Sequence, residues 1–151
     1  MEPNIVTRGE FKVVGLRYEG KNQSGEIRQM WGEFMPRAAE IEHCVDPDVF
    51  YGVCSDAKDT GEFAYTAGRE VSSLSDIPDG MVALTVPAAK YAVFTHKGKL
   101  ETLAQTYELI YKTWLPESGY EATGELDFEC YDERFNYGAE DSILDIYVAI
   151  K

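Results

Sequence analysis

Between Ile27 and Ile41 the residues Ile27, Met30, Trp31, Phe34, Met35, Ala38 and Ile41 recur at helical spacing and form one continuous apolar stripe. Ser24 is the expected N-cap, and Glu26 lies in the first turn, where an acid suits the helix dipole. Pro36 falls inside the stripe, so the helix must kink there or a new segment must begin. A second stripe of Leu103, Tyr107, Ile110, Tyr111 and Trp114 predicts a helix from Leu100 to Leu115, terminated by Pro116. The other apolar runs are short and rich in strand formers: Phe11 to Tyr18, Val49 to Cys54, Phe63 to Ser72, Met81 to Val86, Tyr91 to His96, Leu126 to Tyr131 and Ile143 to Ile150. Gly68 lies near the middle of the third run and allows a bulge there. In the last run Leu144, Ile146, Val148 and Ile150 alternate with Asp145, Tyr147 and Ala149, and the first set is expected to face the core.

The order of these elements repeats. Each half reads strand, glycine turn, helix, strand, strand. Val13 to Gly20 aligns with Tyr91 to Gly98 at a displacement of 78 residues, and Tyr51 to Cys54 aligns with Phe128 to Tyr131 at 77. A near-constant displacement over separate elements predicts an α+β fold of duplicated β-α-β-β units. The expectation is a single domain over residues 1–151, with pseudo-repeats of about 1–79 and 80–151. Its sheet is antiparallel, its two main helices lie on one side, and a central ligand groove lies between the halves.

Charge and composition narrow the partners. The net charge is −13, from 14 Lys and Arg against 27 Asp and Glu. The densest basic stretch, His96-Lys97-Gly98-Lys99, is too short for phosphate recognition, so no direct nucleic-acid partner is expected. Three cysteines without a C-x-x-C, together with a polar start (Met1 to Ile5) that is unlike an export leader, predict a reducing, cytoplasmic setting. No apolar run approaches the ~20 residues needed to span a membrane. Neither His43 nor His96 has ligand-spaced cysteine or histidine nearby, so no metal is expected. Phosphate-cradling glycine motifs and a nucleophile elbow are both lacking, so no cofactor is implied.

Ten tyrosines stand out against 7 Phe and 2 Trp. Tyrosine suits strands, but its flat body and polar tip also suit binding surfaces. In Leu126 to Tyr131 the alternation puts Glu129 and Tyr131 on one face, and Phe128 and Cys130 on the other. The face with the acid and the phenol fits either solvent or a polar-aromatic pocket, and we take the pocket. Glu129, Tyr131, Asp145 and Tyr147 lead the candidate site. Tyr51, Tyr65 and Tyr91 are further lining candidates, and Trp114, at a helix end, is within reach of the ligand. Trp31, Phe34, Tyr107 and Tyr111 lie on helix stripes, where core packing is the commoner role.

Several segments, in order, resemble one family. They are W-x-x-F-x-P-R (Trp31 to Arg37), Y-G-V-C (Tyr51 to Cys54), F-x-Y-x-A-G-x-E-V (Phe63 to Val71), V-P-A-A-K-Y-A-V-F-T-H-K-G (Val86 to Gly98), W-L-P-E-S-G-Y-E (Trp114 to Glu121) and F-E-x-Y (Phe128 to Tyr131). Over nearly the whole chain the sequence resembles the GyrI-like small-molecule-binding domain, the effector-binding domain of AraC-type bacterial transcription regulators. The resemblance implies a multidrug-binding groove for lipophilic, often cationic, small molecules, with aromatic walls and a buried glutamate. By motif position that glutamate is Glu129 and the closing-strand tyrosine is Tyr147. Ala149 departs from the family's acid-x-Tyr-x-Pro ending, which bears on the strand edge. With no helix-turn-helix before the first strand, the chain is expected to be a stand-alone copy that does not regulate transcription by itself. Two other functions stay open on the same resemblance. One is hydrolysis of cyclopropane-type genotoxins with the glutamate as general base. The other is a protein partner, as in relatives that inhibit DNA gyrase.

Overall fold

The computed structural model describes residues 2–151, the side chain of Glu125 excepted. Eight strands form one antiparallel sheet in the order β1-β6-β8-β7-β3-β4-β2-β5. They are β1 (Asn4–Arg8), β2 (Phe11–Gly20), β3 (Phe50–Ser55), β4 (Phe63–Val71), β5 (Val82–Val86), β6 (Ala89–Lys97), β7 (Ala122–Tyr131) and β8 (Ile143–Ile150). Helix α1 (Glu26–Phe34) continues as a 3-10 segment, Met35–Glu40, with Pro36 in its first turn, so a new segment begins at the proline as the sequence requires. Helix α2 is a continuous helical run, 100–118, whose central turns at Leu109–Trp114 are widened into π-helix.

The duplication is visible in the pairing. β1 pairs with β6, and β5 pairs with β2, in registers that superpose when 78 is added to one partner's numbers: Asn4 faces Val93, and Val82 faces Gly15. Each repeat therefore lends its first strand to the sheet of the other. Two-residue connections follow both lent strands, from Arg8 to Phe11 and from Val86 to Ala89. Such short connections hold the two ends of the sheet close together, so the sheet curls. β1 was not legible in the sequence. Five residues beside Pro3 carry no period of their own, and the strand exists through its long-range pairing with β6.

Curling gives the sheet two different buried faces. The inner face packs Phe11, Val13, Tyr51, Val53, Val86, Tyr91, Phe128 and Ala149. The outer face carries both helices: α1 packs on Val14, Tyr65 and Ala67, and α2 packs on Ala92, Phe94 and Ile146. Leu144, Ile146, Val148 and Ile150 are buried as expected. Among the described residues no helix is long and apolar enough to cross a membrane.

Three local expectations are corrected. Gly25, at φ 74°, is the N-cap of α1 in place of Ser24, and the Asn22 side chain accepts the Ile27 N–H instead. Pro116 does not stop α2. It sits in the first turn of the final segment, Leu115–Ser118, where a missing N–H costs little, and Gly119 at φ 82° ends the helix. Gly68 forms no bulge; it stands directly opposite Gly15 in an unbroken register. These two glycines let β2 and β4 approach closely. A Cβ on Gly15 would lie 1.8 Å from the Ala67 carbonyl oxygen, and one on Gly68 would lie 2.4 Å from that of Val14.

Gly15→Ala is therefore expected to lower the unfolding free energy by about 2 kcal/mol or more, within or beyond the usual overpacking range. Gly32→Ala, in the interior of α1 with open space around its Cβ, is expected to raise it by about 0.5–1 kcal/mol. Urea midpoints of the two variants test this, and a neutral Gly15→Ala would contradict the close approach.

Candidate functional site

The strands β3 and β7 meet at the centre of the sheet. There Gly52 and Glu129, equivalent positions of the two repeats, are Cα partners of one another. The duplication has diverged at its own axis: one repeat supplies a carboxylate and the other supplies empty space. A Cβ on Gly52 would come 1.9 Å from the Tyr65 hydroxyl and 3.0 Å from Glu129 Oε1. Glycine is thus required for the glutamate and its neighbours to occupy this point.

Glu129 is 5% exposed and faces the helices. Three phenols donate to it. Tyr65 and Tyr131 reach Oε1 at 2.9 and 2.6 Å, and Tyr107 reaches Oε2 at 2.7 Å. Trp31 Nε1 donates to the Tyr65 oxygen at 3.1 Å, which extends the network to α1. Among the described residues no ion pair involves Glu129, whereas Asp132 and Asp145 are paired with Arg134. Hydrogen bonds to a charged acceptor contribute about 1.5–3 kcal/mol each. Such donors satisfy oxygens that would be costly to bury without hydrogen-bond partners. Burial, and next the Glu129 charge, push the Tyr65, Tyr107 and Tyr131 phenols well above their ordinary range, so all three remain proton donors.

A second acid lies on the same face. Asp127, two residues before Glu129 on β7, accepts a hydrogen bond from the Tyr111 hydroxyl and one from the Ala149 N–H at 3.3 Å. Burial raises its carboxyl. Tyr107 and Tyr111 are one helical turn apart, roughly 6 Å along α2, and the two acids are about 6.8 Å apart along β7. The matched spacing lets a helix running along the strand serve both. Around these groups is a groove of about 1530 Å³ between the helices and the sheet, walled by Trp31, Phe50, Tyr65, Tyr107, Tyr111 and Tyr131. The thiol of Cys54 also faces it and is pushed far up by burial, so it is not a reactive thiolate.

Of the sequence candidates, Glu129, Tyr131 and Tyr65 come together in the groove. The others do not. Register pairs Phe128 with Tyr147 and Cys130 with Asp145, so Tyr147 and Asp145 share the face opposite Glu129. Tyr147 stacks on Phe128 at 4.4 Å, and Tyr91 packs against both. Tyr51 lies on the same inner face, where Arg8 donates to its hydroxyl and burial pushes its phenol up to about 12. Asp145 is bound to Arg134 at 2.6 Å. Trp114 packs on Phe94 and Tyr120 in the core beneath α2. Tyr107, Tyr111, Trp31 and Asp127 are the residues sequence reasoning missed. The available signal was the pair of tyrosines at i and i+4 on α2, whose polar tips need partners. Exposed Glu42, His43 and Asp76 converge within 4.8 Å, but none of them lines the groove.

The whole chain, residues 1–151, matches the family model described as the GyrI-like small molecule binding domain. The transcriptional regulator BrlR of Pseudomonas aeruginosa is 44% identical over 151 residues, a match that spans 99% of this chain and 56% of the regulator. Two solved structures share the fold. SAV2435 bound to tetraphenylphosphonium has a TM-score of 0.81 at 18% identity, spanning 100% of this chain and 94% of that one. The EcmrR C-terminal domain has a TM-score of 0.74 at 15% identity, spanning 99% and 97%.

The phenol network makes a pH prediction. Unfolded tyrosine ionises near pH 10, whereas the folded phenols of Tyr65, Tyr107 and Tyr131 ionise higher. Their contribution to stability is complete below about pH 10 and is lost as pH rises above it, because the unfolded chain gives up its protons first. Removing one such phenol with Tyr107→Phe is expected to make the alkaline decline shallower by about 1.4 kcal/mol per pH unit. Denaturant titrations from about pH 10 to 12 measure this slope. An unchanged slope would mean that the Tyr107 phenol ionises alike in both states.

Proposed function

The chain belongs to the GyrI-like small-molecule-binding domain family, and from that membership we propose that its groove binds lipophilic organic cations at Glu129. The observation that carries the proposal is a buried carboxylate held by three phenols and by no cationic side chain among the described residues. A buried charge without a counter-charge is costly, and an entering cation relieves that cost. The phenols orient the carboxylate, and the aromatic walls remove water and contribute cation–π attraction of about 0.5–2 kcal/mol per ring. The overall charge of −13 concentrates cations near the molecule before any contact is made. The solved relative with the same fold holds tetraphenylphosphonium, a lipophilic cation of this chemical class. The groove has volume to spare for such a ligand.

Binding only to the folded state raises the melting temperature by mass action. Tetraphenylphosphonium is expected to raise it, whereas the neutral analogue triphenylphosphine oxide gives a much smaller shift. Glu129→Gln keeps the side-chain shape and removes the charge, and it should weaken cation binding at least tenfold with little effect on the neutral compound. An equal shift from both compounds, or one that survives Glu129→Gln intact, overturns the reading.

A further inference from the structure

We propose that the groove is selective for organic dications, with one cationic centre held at Glu129 and the second at Asp127. The inference rests on the cation-binding reading above and names the ligand class within it.

Asp127 and Glu129 project from the same face of β7 into one cavity. Each is held by its own tyrosine from α2: Tyr107 donates to Glu129 and Tyr111 to Asp127. Neither acid forms an ion pair among the described residues. The contrast with the adjoining acids is informative, since Asp132 and Asp145 both form ion pairs with Arg134. The lysine nearest in sequence to Tyr111, Lys112, is bound to Glu108 on its own helix. Arg28 and Lys58 also line the groove; Arg28 is paired with Glu101, and among the described residues neither basic side chain is ion-paired with Asp127 or Glu129. Burial already penalises charge at Asp127, and a cationic group there removes that penalty as it does at Glu129.

The two positions differ in depth. Glu129 is enclosed by Tyr65, Tyr107 and Tyr131, whereas Tyr111 beside Asp127 is 37% exposed. A ligand with two cationic centres, separated by a rigid apolar spacer about as long as two strand residues, roughly 6.8 Å, places one centre deep and one near the mouth. The spacer then lies along the aromatic walls. A monocation satisfies only one acid and leaves the other unpaired.

Isothermal titration calorimetry with benzyltrimethylammonium and 1,4-bis(trimethylammoniomethyl)benzene tests this. Wild type is expected to bind the dication at least tenfold more tightly than the monocation. Asp127→Asn, which keeps an oxygen to accept from Tyr111, should reduce that preference to within about twofold by weakening the dication much more than the monocation. Asp127→Glu should keep it, and Glu129→Gln should weaken both probes. Three results overturn the dication proposal while cation binding at Glu129 stands: no preference in wild type, a preference that persists in Asp127→Asn, or equal loss of both probes in Asp127→Asn. Monocation binding that is indifferent to Glu129→Gln, or no binding of either probe to wild type, overturns the underlying reading as well.

Discussion

A carboxylate buried at the symmetry point of a duplicated sheet is the constraint on which the rest of this structure depends. Glu129 can stay there only if its oxygens find donors, and the three phenols come from β4, β7 and α2. That requirement ties the helix of one repeat and a strand of the other to the same point. It also explains the glycine opposite. Any side chain at Gly52 would occupy the position of the Tyr65 hydroxyl. Two equivalent residues have taken complementary roles, one as charge and one as space, and the site exists because the repeats are no longer alike.

The curl of the sheet decides which aromatics can serve a ligand. Exchange of first strands between the repeats draws the ends of the sheet together and buries an inner face of Phe11, Tyr51, Tyr91 and Phe128. The helices then cover only part of the outer face, and the space between them is the groove. The fold thus separates two aromatic populations that look alike in sequence. One is packed edge to face as a core, with ring centroids 5.2–5.8 Å apart. The other points hydroxyls at carboxylates. Tyrosine is used for its apolar body on the first face and for its polar tip on the second.

The helix α2 carries the polar half of this division. Its widened turns span Leu109–Trp114, between Tyr107 and Pro116. A π-type turn is a common device where a helix must accommodate an obstruction or present side chains for function. Here it lies in the stretch that presents Tyr111 towards Asp127 while Ile110 stays buried in the core.

The sequence by itself determined the α+β class, the seven strands with strong local patterns, both helices, the duplication and the face shared by Glu129 and Tyr131. These follow from periodicities of 2 and 3.6 residues, which act over a few neighbours. It also placed the family, through motifs spread along the chain. Only the tertiary structure decided the strand β1, the placement of Tyr51, Tyr91, Trp114, Tyr147 and Asp145 away from the groove, and the placement of Tyr107, Tyr111, Trp31 and Asp127 in it. Each of those depends on how strands pair, as β1 does with β6 and β7 with β8, or on how the helices lie across the sheet. A shift of one residue in pairing moves every side chain to the opposite face. Nothing within a single strand or helix encodes that choice, which is made by the packing of elements dozens of residues apart.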